Sequence, residues 1–194
     1  MSHTAQELEA VNIMLTAIPS AVVTTLDGTV ADDVTMAMTI LSETNKEVQS
    51  RGWKFNTEFD VVIEADGGGL IAMPDDVLSA VFSVNSSSDP DPVIRGASFY
   101  DTRNKTYVFP GDITASEVVY LRDYDEIPRS ALYYIAIKAA RRMQSRLQAD
   151  ESRMRSLKDD ENDALRTLLQ DYAAKENVSM ENDPEIANAM NRRP

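Results

Sequence analysis

The spacing of apolar residues changes twice along this chain, and that change sets what it can fold into. Leu8, Val11, Leu15 and Ile18 recur at intervals of three and four, which predicts a helix over residues 6–18 that Pro19 helps to end. An ordered connector over residues 20–29 follows, with Val22, Val23 and Leu26 beside the turn pair Asp27-Gly28. A second helix is expected from Asp32 or Asp33, either of which can cap free N–H groups. Val34, Ala37, Met38, Leu41 and Val48 share one of its faces, and the pattern runs to Ser50 before Gly52 interrupts it.

From Trp53 to Leu121 the helical spacing disappears. Short β-prone runs at 61–63, 77–84, 93–100, 106–109 and 117–121 alternate with turn-rich segments. The clearest expected hairpin joins Phe99-Tyr100 to the run 106–109 through the polar turn 101–105, with Pro110-Gly111 closing the second strand. Helical spacing returns after Pro128, which suits a first helical turn, with Leu132, Ile135, Ala139, Met143 and Leu147 on one side. A fourth helix carries Met154, Leu157, Leu165, Leu168 and Tyr172 as its stripe. The expected class is α+β: a four-helix framework with a β-rich insertion in its middle and a polar C-terminal tail. The boundaries read as 1–52 and 123–176 for the two halves of the framework, 53–122 for the insertion and 177–194 for the tail.

Composition narrows the chemistry. Zero cysteines remove disulfides, thiolate zinc sites and cysteine nucleophiles, and one histidine, His3, leaves little for imidazole catalysis. The net charge of -13 argues against gripping nucleic acid, because phosphate binding depends on lysine and arginine displacing counterions. No apolar run approaches the ~20 residues that span a bilayer, and the first residues lack a signal-peptide pattern, so a cytosolic origin without a membrane anchor is expected.

Several motifs have a bland reading beside a functional one. Gly67-Gly68-Gly69 lacks the lysine and hydroxyl residue of a phosphate loop and reads as a flexible turn. Asp123, Asp125 and Glu126 could serve as paired carboxylates of a glycan hydrolase, but two of them immediately precede an expected helix start, where acids are favoured anyway. Asp89-Pro90-Asp91-Pro92 reads as a stiff surface loop, and Asp159, Asp160, Glu161 and Asp163 as a solvated helix face. Arg141, Arg142 and Arg146, with Arg192 and Arg193 at the end, are the best basic clusters and form the candidate partner interface, toward DNA or an acidic protein surface. No cofactor or metal site is expected.

The segment from Glu47 to Thr57, Glu-Val-Gln-Ser-Arg-Gly-Trp-Lys-Phe-Asn-Thr, resembles that of the tail tubular protein A family of T7-like short-tailed bacteriophages. Further pieces agree in order: Glu7-Leu8 with Ala10-Val11-Asn12, Thr25-Leu26-Asp27-Gly28, Arg95-Gly96 before Tyr100-Asp101, Tyr124-Asp125-Glu126-Ile127-Pro128, and Tyr134-Ile135 before Ala139-Ala140-Arg141. The resemblance covers residues 7–148.

It implies a non-enzymatic virion tail protein, made in the host cytoplasm. Such proteins form a ring of twelve subunits beneath the portal, continue the DNA channel without binding DNA specifically, carry the nozzle protein, and lie beside the attached tail fibres. Arg51, Gly52, Trp53 and Phe55 are expected to form the helix-to-sheet junction, the two aromatics anchoring it by buried area. Arg51 is expected either to pair with an acid there or to reach a neighbouring subunit. The alternatives are a virion-associated glycan or peptidoglycan hydrolase and a DNA-binding assembly factor working through the arginines.

Overall fold

The computed structural model describes residues 3–83, 89–147 and 150–181, the last eight of them as backbone only. The chain divides into two compact units, residues 1–44 with 127–194, and residues 45–126.

The first unit is helical. Helix α1 (Ala5–Ala17) begins at Thr4, whose hydroxyl accepts from the Glu7 amide at 3.1 Å, and it ends where Ile18 turns extended before Pro19. Its buried side is Ala10, Val11, Met14 and Leu15. Helix α2 (Asp32–Gln49) starts in this unit and buries Val34, Ala37, Ile40 and Leu41. Asp32 and Asp33 stand inside its first turn rather than before it, so they favour the helix through its positive N-terminal end and not as the expected caps.

Helix α3 (Arg129–Leu147) is the hub of the unit and packs on both α1 and α4 (Glu151–Glu181). Two packed sides account for its burial on more than one face: Ala131, Leu132 and every residue from Tyr134 to Ala140 are buried, while Leu147 is exposed. Pro128 precedes the helix and supplies the carbonyl that accepts from Leu132, instead of lying within the first turn. Helix α4 buries Ala164 and Leu168, with Met154, Leu157, Leu165 and Tyr172 half-buried beside them. Its backbone stays helical through Glu181, five residues into the stretch read as tail. Residues 182–194, with Arg192 and Arg193, lie outside the described residues.

The second unit holds the sheet. Strands β1 (Thr57–Ile63), β2 (Val77–Val81) and β5 (Ile113–Tyr120) form an antiparallel sheet in the order β1-β5-β2, and β3 (Pro92–Arg95) pairs with β4 (Ser98–Asp101). Ile71, Phe99, Phe109 and Ile113 make one core cluster, and Val77, Ala115 and Val118 another.

The hairpin prediction needs correction. The run 93–100 is itself a hairpin, β3 turning into β4 at Gly96, where φ is +65°. Residues 106–109 contribute only isolated bridges, Asp101 to Thr106 and Leu70 to Val108. The polar turn 101–105 is closed by a single backbone pair, Asp101 with Thr106, and is organised by the Asp101 side chain. This carboxylate, 1% exposed, accepts from the amides of Asp91, Arg103 and Asn104 and from the Asn104 side chain. The glycine turn is also fixed: Asp66 accepts from Gly68 and Leu70, and Gly69 at φ +78° lies so close to Phe109 that a Cβ would stand 2.6 Å from its carbonyl oxygen.

Candidate docking face

Within the second unit, the end of α2 is tied to the sheet by three amide side chains. Asn45, Gln49 and Asn56 are all buried. The Asn56 amide group donates to the Gln49 carbonyl at 3.0 Å and to the Tyr120 carbonyl at 2.7 Å, while its oxygen accepts from the Trp53 backbone at 2.8 Å. Gln49 donates to Asn45 and to the Arg122 carbonyl, and accepts from the Arg122 amide at 2.8 Å. The three amide side chains thus find partners as the helix stops and the chain turns into β1, while the buried Thr57 hydroxyl at the start of the strand has none among the described residues.

The four residues expected at this junction all lie there, in differing roles. Gly52 adopts φ +71°, and an added Cβ would stand 3.3 Å from Val119 Cγ2 and 3.6 Å from a Glu117 carboxylate oxygen, so the turn lies directly on the sheet. Trp53 is half-buried and donates from its indole to the Val48 carbonyl at 2.7 Å, clamping the last turn of α2. Phe55 is half-buried. Arg51 is exposed and makes no ion pair among the described residues, which corrects the expectation of an acid partner within the junction. The three amide residues escaped the sequence reading because apolar spacing carries no record of buried polar groups; their signal lay inside the motif itself, as Gln49 and Asn56 flanking Gly52.

Beyond the turn, this face of the sheet is open. Phe59 of β1 and Val81 of β2 both pair with Glu117 of the central strand, which sets the three side chains in one row across the sheet. Phe59 is 68% exposed and Val81 53%. The opposite face carries the core: Val61, Ile63 and Ala80 pack on the cluster of Val77, Ala115 and Val118. Along β5 the buried positions Ala115 and Val118 are three apart, a break in the usual alternation opposite Asp60, whose φ is +54°.

The basic cluster on α3 is placed differently. Arg141 pairs with Glu161 of α4, Arg142 donates to the Thr44 hydroxyl at 3.2 Å, and Arg146 pairs with Glu43 at 2.9 Å. These arginines join α3 to α4 and α2 within the first unit. Glu161 is correspondingly turned inward, unlike the solvated face expected of its acidic run, and Asp163 pairs with Arg166. Asp123, Asp125 and Glu126 are exposed on a turn closed by the Glu126 amide donating to the Asp123 carbonyl. Among the described residues there is no group of acidic or histidine side chains that could hold a metal, and no helix is long and apolar enough to cross a membrane.

The row on this face sets the half-buried acid Glu117 between two exposed apolar side chains, Phe59 and Val81. The description "Tail tubular protein" belongs to the family whose model matches residues 8–178, and the chain belongs to that family of phage tail proteins. It is a structural subunit of the virion tail. No curated protein matches the chain.

Proposed function

We propose that this chain forms the adaptor ring of a short-tailed phage, joining the portal to the tail nozzle and continuing the DNA channel. Twelve copies close the ring, and tail fibres attach near its lower edge. The chain's work is docking, not catalysis. The observation that carries this reading is the family match across residues 8–178, together with the ordered motifs of the T7-like resemblance in the same stretch.

The charge of the chain supports it. A conduit must let phosphates pass without holding them, and a subunit with formal charge -13 repels a polyanion at short range. The best basic cluster, on α3, is engaged with acidic and hydroxyl groups of the same unit. The terminal arginines Arg192 and Arg193 are proposed as contacts with an acidic partner surface. The protein is made and assembled in the host cytoplasm.

The order of assembly tests the reading. Purified subunit, portal and nozzle, mixed in pairs and all together and imaged by electron microscopy, are expected to give portal–subunit particles, portal–subunit–nozzle particles from the three-way mixture, and no portal–nozzle particle. Nozzle bound to portal without the subunit would refute the adaptor role. Truncation after Asn177 is expected to abolish portal docking, and unchanged docking would remove the tail from the portal contact.

A further inference from the structure

Where α3 packs on the start of α4, Arg141, Glu151, Met154, Arg155 and Lys158 line a groove of about 430 Å³ within the helical unit. Three of the five are cations and one is an acid. Glu161 takes only the Nε group of Arg141, and the Nη groups make no hydrogen bond among the described residues. Arg155 reaches Glu151 at 3.3 Å one turn back, but these side chains are 80% and 86% exposed, so water screens the pair. Lys158 is exposed and has no ion pair among the described residues. The groove therefore offers cationic donors, on a chain whose formal charge is -13.

The same chain carries a convex counterpart. Asp123, Asp125 and Glu126 stand exposed on one tight turn, closed by the Glu126 amide donating to the Asp123 carbonyl at 3.0 Å. None of the three has an ion pair among the described residues, and three carboxylates on four residues repel one another until a cation is brought to them. The acidic run 159–163 differs, because Glu161 and Asp163 are already paired. The start of α2 sets Asp32 and Asp33 on a helix ~10–12 Å across, which lies over such a groove, whereas a tight turn enters it.

We infer that the groove receives the turn 123–126 of a second copy of this chain, its carboxylates against Lys158, Arg155 and the Nη groups of Arg141. This rests on the reading of the chain as a self-assembling subunit and names the surfaces that meet. A chain's own turn does not fill its own groove. The turn ends three residues before α3 begins, and Arg141 lies twelve residues further on, ~18 Å along the helix axis. The two surfaces differ, so the contact is head-to-tail, the kind that passes from copy to copy and closes into rings. Its complementary charges set register and partner choice, and salt weakens them.

A charge swap tests the inference on the full chain, by native mass spectrometry and sedimentation at matched concentration. Arg155→Glu with Lys158→Glu is expected to weaken assembly about tenfold or more, and Asp123→Lys with Asp125→Lys to do the same, each with an unchanged circular dichroism spectrum. Arg141 is left in place because it joins α3 to α4. The four substitutions together are expected to restore assembly, which general destabilisation cannot do. Full assembly by both charge pairs would overturn the inference while leaving self-assembly intact. The same holds if the quadruple variant stays dissociated, or if the variants assemble normally and lose only portal docking. A wild-type chain that never assembles, even with portal present, would remove the parent reading and the inference together.

Discussion

Asn56 has no exposed surface and spends its side chain on three backbone groups, from Gln49, Trp53 and Tyr120. Asn56→Ala strands those groups in a dry site, so it is expected to destabilise the protein by about 3 kcal/mol in urea denaturation. An effect below the error of the measurement would mean that the junction is not held by this amide. Gly52→Ala combines left-handed backbone with a 3.3 Å contact to Val119, and a loss of ~1–2 kcal/mol is expected. Gln144 presents the opposite case: both its amide atoms are buried with no partner among the described residues. Gln144→Met, near in volume and free of that desolvation cost, is expected to raise the unfolding midpoint. Asp101 links stability to pH. Burial acts to raise its pKa, but hydrogen bonds from Asp91, Asn104 and Arg103 outweigh burial and hold it below the usual carboxylate value. Its contribution is therefore full above the unfolded-state pKa and lost as the pH falls through the folded one. Asp101→Asn is expected to flatten the acid side of the stability–pH curve, and an unchanged acid limb would contradict this.

The elements were legible in the sequence to the extent that apolar spacing defines them. Helices α1 to α4 follow stripes such as Val11–Leu15 and Leu165–Leu168, and the loss of that spacing after Gly52 marks the entry to the sheet. The hairpin was misread because β-propensity in Thr106–Phe109 resembles that of a strand, while the turn that decides pairing is set by Gly96 and by the buried Asp101. Propensity reports what suits a pleated surface, not which strand is opposite. Charge was misleading in the same way. A cluster such as Arg141, Arg142 and Arg146 reads as an interface until acids from distant parts of the chain, Glu161 and Glu43, are brought to it. The consequence is testable on α3 and α4. Arg141→Ala leaves Glu161, 14% exposed, without its partner and is expected to cost about 2 kcal/mol. The apolar pair Arg141→Met with Glu161→Leu is expected to recover most of that loss. Equal losses in the single and double variants would show that the pair is not what joins the helices.

On the scale of the whole molecule, the sequence divides its tasks between a helical unit whose α3 arginines are engaged within it and a β unit with an open face. The family assignment makes the chain a tail subunit, and the ring is the proposal on which the rest depends. The mass of the purified chain incubated with portal, read by native mass spectrometry, tests that proposal most directly. The account predicts a closed species of twelve copies on the portal. Monomers alone, at every concentration and with portal present, would contradict it.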